Sequence, residues 1–193
     1  MSVRAIVAPG FHGKLPGRGD FVQAGVPRAF VQAWDDWCQA MLAGSREALG
    51  ERWQSVWLEA PIWRFRLSPG LCGPGAATGL WLPSVDRVGR YFPFTIVAVS
   101  MPDEAAVDAI FLDEAEPIGL DALALGLPPE AIATRLAQIQ CPPGAPQAQG
   151  TSRWWTAGSP WVRPCSFEVE GLPGPQRYAL MLDDGSAVAA PVR

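Results

Sequence analysis

Lysine is almost missing from this chain. Of the fifteen Lys and Arg residues in 193, only Lys14 is a lysine, and His12 is the single histidine. With one histidine, a Ser–His–Asp hydrolase would have to be built around that position. One imidazole among dispersed carboxylates also gives no metal-ligand spacing. The cysteines Cys38, Cys72, Cys141 and Cys165 are widely scattered and form no CxxC pair. That spacing argues against a zinc site and a disulfide framework, and predicts reduced, structural thiols in a cytoplasmic protein. No apolar run approaches the ~20 residues needed to cross a bilayer, and the apolar part of residues 1–9 is too short for a signal peptide. Charge is sparse as well: 18% of residues are charged and the net charge is −4, which argues against non-specific binding to nucleic acid or to an anionic membrane.

What the chain has is apolar material and backbone punctuation. Hydrophobic residues make up 49%, beside 20 glycines, 20 prolines and nine tryptophans. This predicts one α/β domain over 1–193, with a mixed central sheet flanked by helices. A strand is expected at 3–8. Pro27 opens a helix in which Phe30, Val31, Trp34, Trp37, Cys38, Met41 and Leu42 share a face, and Gly44 supplies its stop. Ser45 then N-caps a second helix carrying Leu49, Trp53, Val56 and Trp57. In 62–67, alternation turns Trp63, Phe65 and Leu67 to one face and Arg64 and Arg66 to the other. Residues 79–82 form a short strand and 92–99 the most apolar one, with Pro93 near its start. A helix over 103–115 is ended by Pro117, a further piece runs through Leu120, Leu123 and Leu127, and Pro128–Pro129 open another through Ile132, Leu136 and Ile139. Residues 141–150 are a flexible Pro/Gln/Gly connection. The segments 154–155, 165–169 and 178–182 read as late strands, and 183–185 as a turn.

Two stretches concentrate specific chemistry. The first is Phe11-His12-Gly13-Lys14-Leu15-Pro16-Gly17-Arg18-Gly19-Asp20-Phe21, where glycines and a proline demand defined backbone geometry. Lys14, Arg18 and Asp20 could form a small-anion site with glycine amides assisting, yet the spacing is not that of a Walker loop. The competing reading is a structural loop ordered by pairing Asp20 with an arginine. The second stretch is Pro83-Ser84-Val85-Asp86-Arg87-Val88-Gly89-Arg90-Tyr91-Phe92-Pro93. Ser84 lacks the GxSxG elbow of an esterase nucleophile, and Asp86 is placed to staple the loop to Arg87 or Arg90. The expectation is that the two loops lie together at one end of the sheet, share an Arg/Asp network and shape a surface for a partner.

Together these two stretches resemble the TagF (ImpM) family of type VI secretion system-associated accessory proteins. The Trp-rich first helix, the Trp63-Arg64-Phe65 strand, the Pro69-Gly70-Leu71-Cys72-Gly73 turn after it and the Trp154-Trp155 pair support the resemblance. It is strong over 10–100 and thin over 105–150. The resemblance implies a cytoplasmic α/β domain without catalytic residues or cofactor. It also implies post-translational control, in the repressing sense, of secretion-system assembly through a forkhead-associated scaffold protein. A small-anion or nucleotide sensor built on 13–20 is the alternative. The tryptophans divide: Trp34, Trp37, Trp53 and Trp57 have helical spacing and belong to a core, whereas Trp154, Trp155 and Trp161 are candidates for a partner or self-association surface.

Overall fold

A computed structural model describes residues 7–186. Strands β1 (Gly10–Gly13), β2 (Val22–Ala24), β3 (Trp63–Leu67), β4 (Ala77–Leu82), β5 (Phe94–Val99), β6 (Thr151–Thr156) and β7 (Cys165–Glu170) join in one sheet. Their order is β2-β1-β5-β4-β3-β6-β7. The expected α/β layering forms, but every pairing in the sheet is antiparallel rather than mixed. The expected strand at 3–8 lies mostly outside the described residues; among the described residues the first strand is β1, inside the His12 stretch.

Helices α1 (Arg28–Leu49), α2 (Trp53–Leu58) and α5 (Pro175–Leu182) bury their apolar faces on one side of the sheet. Helices α3 (Leu112–Leu125) and α4 (Pro129–Leu136) cover part of the other. The strands split their side chains accordingly: Trp81 and Val97 enter the first core, and Leu80, Leu82, Phe94, Ile96 and Ala98 the second. The first core is a stack of indoles. Trp34, Trp37 and Trp154 contact one another with centroids 4.9–6.2 Å apart. Their polar ends are satisfied: Trp34 donates to Thr95 Oγ1 at 2.9 Å, Trp37 to the Pro173 carbonyl at 2.9 Å and Trp154 to Ser152 Oγ at 3.0 Å. Buried indoles usually find such a partner.

Several boundaries differ from the sequence reading. Gly44 does not stop α1, which runs on to Leu49 and ends at Gly50 with φ 55°. Gly44 serves packing: a Cβ there would sit 2.9 Å from the Cβ of Pro175, so its missing side chain lets α5 approach. Ser45 is no N-cap. Its buried hydroxyl bonds the Leu42 carbonyl and accepts from Trp53 Nε1 at 2.8 Å. Pro117 lies within α3, and residues 103–108 are not helical; the element begins where the Asp108 carboxylate caps Ile110 N–H at 2.9 Å. Ile110 is exposed. The segment at 178–182 is helix rather than strand, burying Tyr178, Met181 and Leu182 at helical spacing after Pro175 in its first turn. The 141–150 connection is tied down by Gly144 N–H to the Ala106 carbonyl at 2.6 Å and Asp108 N–H to the Pro142 carbonyl at 2.8 Å.

Candidate functional site

The register explains why the two polar loops meet. Gly13 at the end of β1 pairs with Phe94, and so does Leu82 at the end of β4. The 14–21 and 83–93 connections therefore leave the sheet side by side. Gly13 is required at this junction: its φ is 140°, and a Cβ would lie 2.1 Å from the Pro93 carbonyl oxygen.

At the centre lies Asp86, whose carboxylate is fully buried. One oxygen accepts from Lys14 Nζ at 2.6 Å and Arg90 Nε at 2.7 Å. The other accepts from the Val88 and Arg90 amides at 3.0 and 2.8 Å. Burial works to raise the Asp86 pKa, but the Lys14 ammonium and the Arg90 contacts outweigh it and hold the carboxyl well below the usual carboxylate range. Lys14 is itself buried and lies 5.0 Å from the Phe21 ring centroid. The backbone completes the junction. Ser84 Oγ donates to the Lys14 carbonyl at 2.7 Å, Arg87 N–H to the Arg18 carbonyl at 2.9 Å, and the Arg90 guanidinium to the Gly19 carbonyl. Trp57 Nε1 anchors the loop from below, donating to the Ser84 carbonyl at 3.0 Å.

The structure thus brings Lys14, Ser84, Asp86 and Arg90 into one network and places Arg18, Asp20 and Arg87 outside it. Asp20 is exposed and makes no ion pair among the described residues, against the expected pairing with an arginine. Arg87 joins through its backbone rather than its guanidinium. Together with Gly17, Gly19, Phe21 and Pro129, these three side chains border a shallow hollow of about 330 Å³.

Sequence reasoning missed the aromatic half of the site. Phe21 is 46% exposed, yet it stacks on buried His12 with centroids 5.4 Å apart and meets Phe92 edge-on at 4.8 Å. His12 Nε2 donates to Asp35 on α1 at 2.7 Å. The signal was the phenylalanine closing the first stretch, directly after the charged residues. Since His12 is committed to Asp35 and the Ser84 hydroxyl to the Lys14 carbonyl, the two do not form a nucleophile–base pair. Among the described residues no group of three or more His, Cys, Asp or Glu side chains is placed to hold a metal ion.

The other candidates separate by strand alternation. Trp154 points into the first core with no exposed surface and is not available to a partner. Trp155, next along β6, stands half-buried on the opposite face. Trp161 is partly buried; its Nε1 donates to Glu59 at 2.6 Å and Arg52 lies over its ring. The four cysteines are free, and burial pushes the Cys72 thiol up to about 12 and Cys141 to about 11.

The polar loops, the Trp-rich α1 and the β3–β5 strands lie within 10–139, which matches the family model described as the TagF N-terminal domain, type VI secretion system-associated. The chain belongs to the TagF family. Among solved structures it is similar to PA0076 from Pseudomonas aeruginosa PAO1, with 31% identity, a TM-score of 0.81, and coverage of 96% of this chain and 99% of that one. The likeness extends past the family model into β6, β7 and α5. A comparison with curated proteins gives no match. No helix among the described residues is long and apolar enough to cross a membrane.

Proposed function

We propose that this TagF-family chain is a non-enzymatic, cytoplasmic regulator that restrains type VI secretion system assembly by occupying a partner, a forkhead-associated scaffold protein. The observation that carries the reading is the division of labour in the two family loops. Lys14 and Asp86 pair beneath the surface and the exposed Arg90 closes over the same carboxylate, so their chemistry is spent on shape. Arg18, Arg87 and Val88 are exposed above them, beside the exposed half of Phe21, which rests on His12 and Phe92. Arginine and aromatic side chains on a preordered surface are the composition of an interface core, and preordering lowers the entropy cost of docking. The alternative anion or nucleotide cradle loses its lysine, because the Lys14 ammonium already has a carboxylate at 2.6 Å.

The test is overproduction in a bacterium with a working type VI system. The wild-type chain should silence secretion, and a Phe21→Ser/Arg87→Glu variant of unchanged melting temperature should not. Equal silencing by both would refute the docking surface. A thermal shift with a nucleotide panel separates the alternative, since a ligand at 100 times its dissociation constant adds about 2.7 kcal/mol.

A further inference from the structure

A second surface lies far along the sheet from the TagF loops. Helix α3 packs on β4 and β5 and reaches Arg64 of β3 through its acidic side chains, and α4 packs on β1 and β2; beyond Arg64 the same face of β3, β6 and β7 has no helix among its main packing partners. The register sets Arg64 opposite Trp155, and Trp155 opposite Ser166; it also sets Arg66 opposite Arg153, and Arg153 opposite Glu168. Arg64 is neutralised from α3 by Asp113 at 2.6 Å and Glu116 at 2.9 Å. Arg66 and Arg153 have no ion pair among the described residues, although they face each other directly across the ladder. Like charges in that relation destabilise a sheet. Arg66 bonds the Ala145 carbonyl through one terminal nitrogen, but its Nε is buried with no acceptor at all. A buried guanidinium donor left open costs stability unless something fills it.

Beside these two arginines is a hollow of about 420 Å³ lined by Arg66, Ala109, Arg153, Trp155 and Ser166. On the far side of Trp155 a second hollow of about 380 Å³ is lined by Ile62, Arg64, Glu116, Thr156 and Gly158. Trp155 therefore stands as a ridge between two depressions, forming an extended track rather than an enclosed pocket for a small molecule.

We infer that the open face of β3–β6–β7 docks an extended acidic segment of a partner protein, with a carboxylate seated on Arg66 and Arg153 and an adjoining apolar side chain packed on Trp155. Guanidinium groups bind carboxylates through paired hydrogen bonds, so an incoming Glu or Asp would pair with the exposed Arg153 and offset its like charge with Arg66, whose buried Nε it reaches only if that side chain shifts. The site is independent of the loops around Asp86.

The experiment titrates the full chain with a blocked octapeptide of alternating Glu and Leu and with its Gln–Leu counterpart, by calorimetry. The Glu peptide should bind saturably and the Gln peptide at least about 10-fold more weakly. Arg153→Gln should weaken the Glu peptide by a similar factor and Trp155→Ala should also weaken it, while neither moves the Phe21-dependent activity. Arg153→Gln removes the repulsion from Arg66 and the attraction to Glu168 together, so the free protein should keep its melting temperature within about 1–2 °C. A purely structural arginine would lower it further. The inference is overturned by no saturable binding of the Glu peptide, by equal binding of the two peptides, by an Arg153→Gln variant that binds normally, or by a melting temperature lowered beyond that range in that variant. Inorganic phosphate that competes with the Glu peptide at lower concentration than acetate would also overturn it, assigning the arginines to phosphate instead.

Discussion

Asp86 is the residue on which the junction of the two loops depends. Removing it would strand a buried ammonium and two backbone amides, so Asp86→Ala should cost about 3–5 kcal/mol, seen as a fall in melting temperature of roughly 6–20 °C for a chain of this size. Lys14→Met should cost less, because Arg90 and the amides still serve the carboxylate. The double change Lys14→Met/Asp86→Leu should recover only part of the loss, since it removes the unpaired ammonium but leaves the Val88 and Arg90 amides without their acceptor. Asp20→Ala should stay within about 0.5 kcal/mol, as Asp20 is exposed and unpaired. The same carboxyl gives the pH dependence its sign. Its folded pKa is held below the ordinary 3.8, so the folded state takes up this proton less readily than the unfolded chain. Its contribution is whole above about pH 4 and is lost as pH falls below that toward the folded value. Denaturant titrations of wild type and Asp86→Ala should converge on acidification. The sequence showed both loops and the Asp86–Arg90 staple, four residues apart. It could not show that Lys14, 72 positions away, takes the other bond, because that pairing depends on the β1–β5–β4 register.

At the scale of elements, local period carried the reading where only one period fitted. The alternation of 63–67 could be nothing but a half-covered strand, and it is β3, with Trp63, Phe65 and Leu67 buried. The spacing of Phe30, Trp34, Trp37, Cys38, Met41 and Leu42 fitted only a helix, which α1 is. In 178–182 a five-residue apolar run suits either period, and the decision rested on Pro175 outside that window. Gly44 misled for a different reason, since its role is set by a neighbour that no local rule sees. Gly44→Leu should wedge α5 away from α1 and cost about 1–3 kcal/mol despite the better helix propensity of leucine. Thermal denaturation checks this, and near-ultraviolet dichroism should report disturbed packing of Trp37 against Tyr178, which now meet edge-on at 5.5 Å.

For the whole molecule, the antiparallel sheet separates a stiff, indole-filled core from two exposed surfaces at different places. One is the loop edge of Arg18, Phe21 and Arg87, raised on the Lys14–Asp86–Arg90 network. The other is the uncovered face of β3, β6 and β7. Both owe their position to strand order, which sequence pattern alone leaves open. The family was legible from the two loops because they are short, specific and held in fixed geometry. The sheet-face surface was not legible, because Arg66 and Arg153 become neighbours only when β3 and β6 pair. The central claim concerns the first surface, and its most direct measurement is calorimetric titration of the purified chain with the forkhead-associated protein of the same secretion system. The account predicts saturable binding by the wild type and a loss of at least about 30-fold for Phe21→Ser/Arg87→Glu, with the melting temperature held. Undiminished affinity in that folded variant would contradict it.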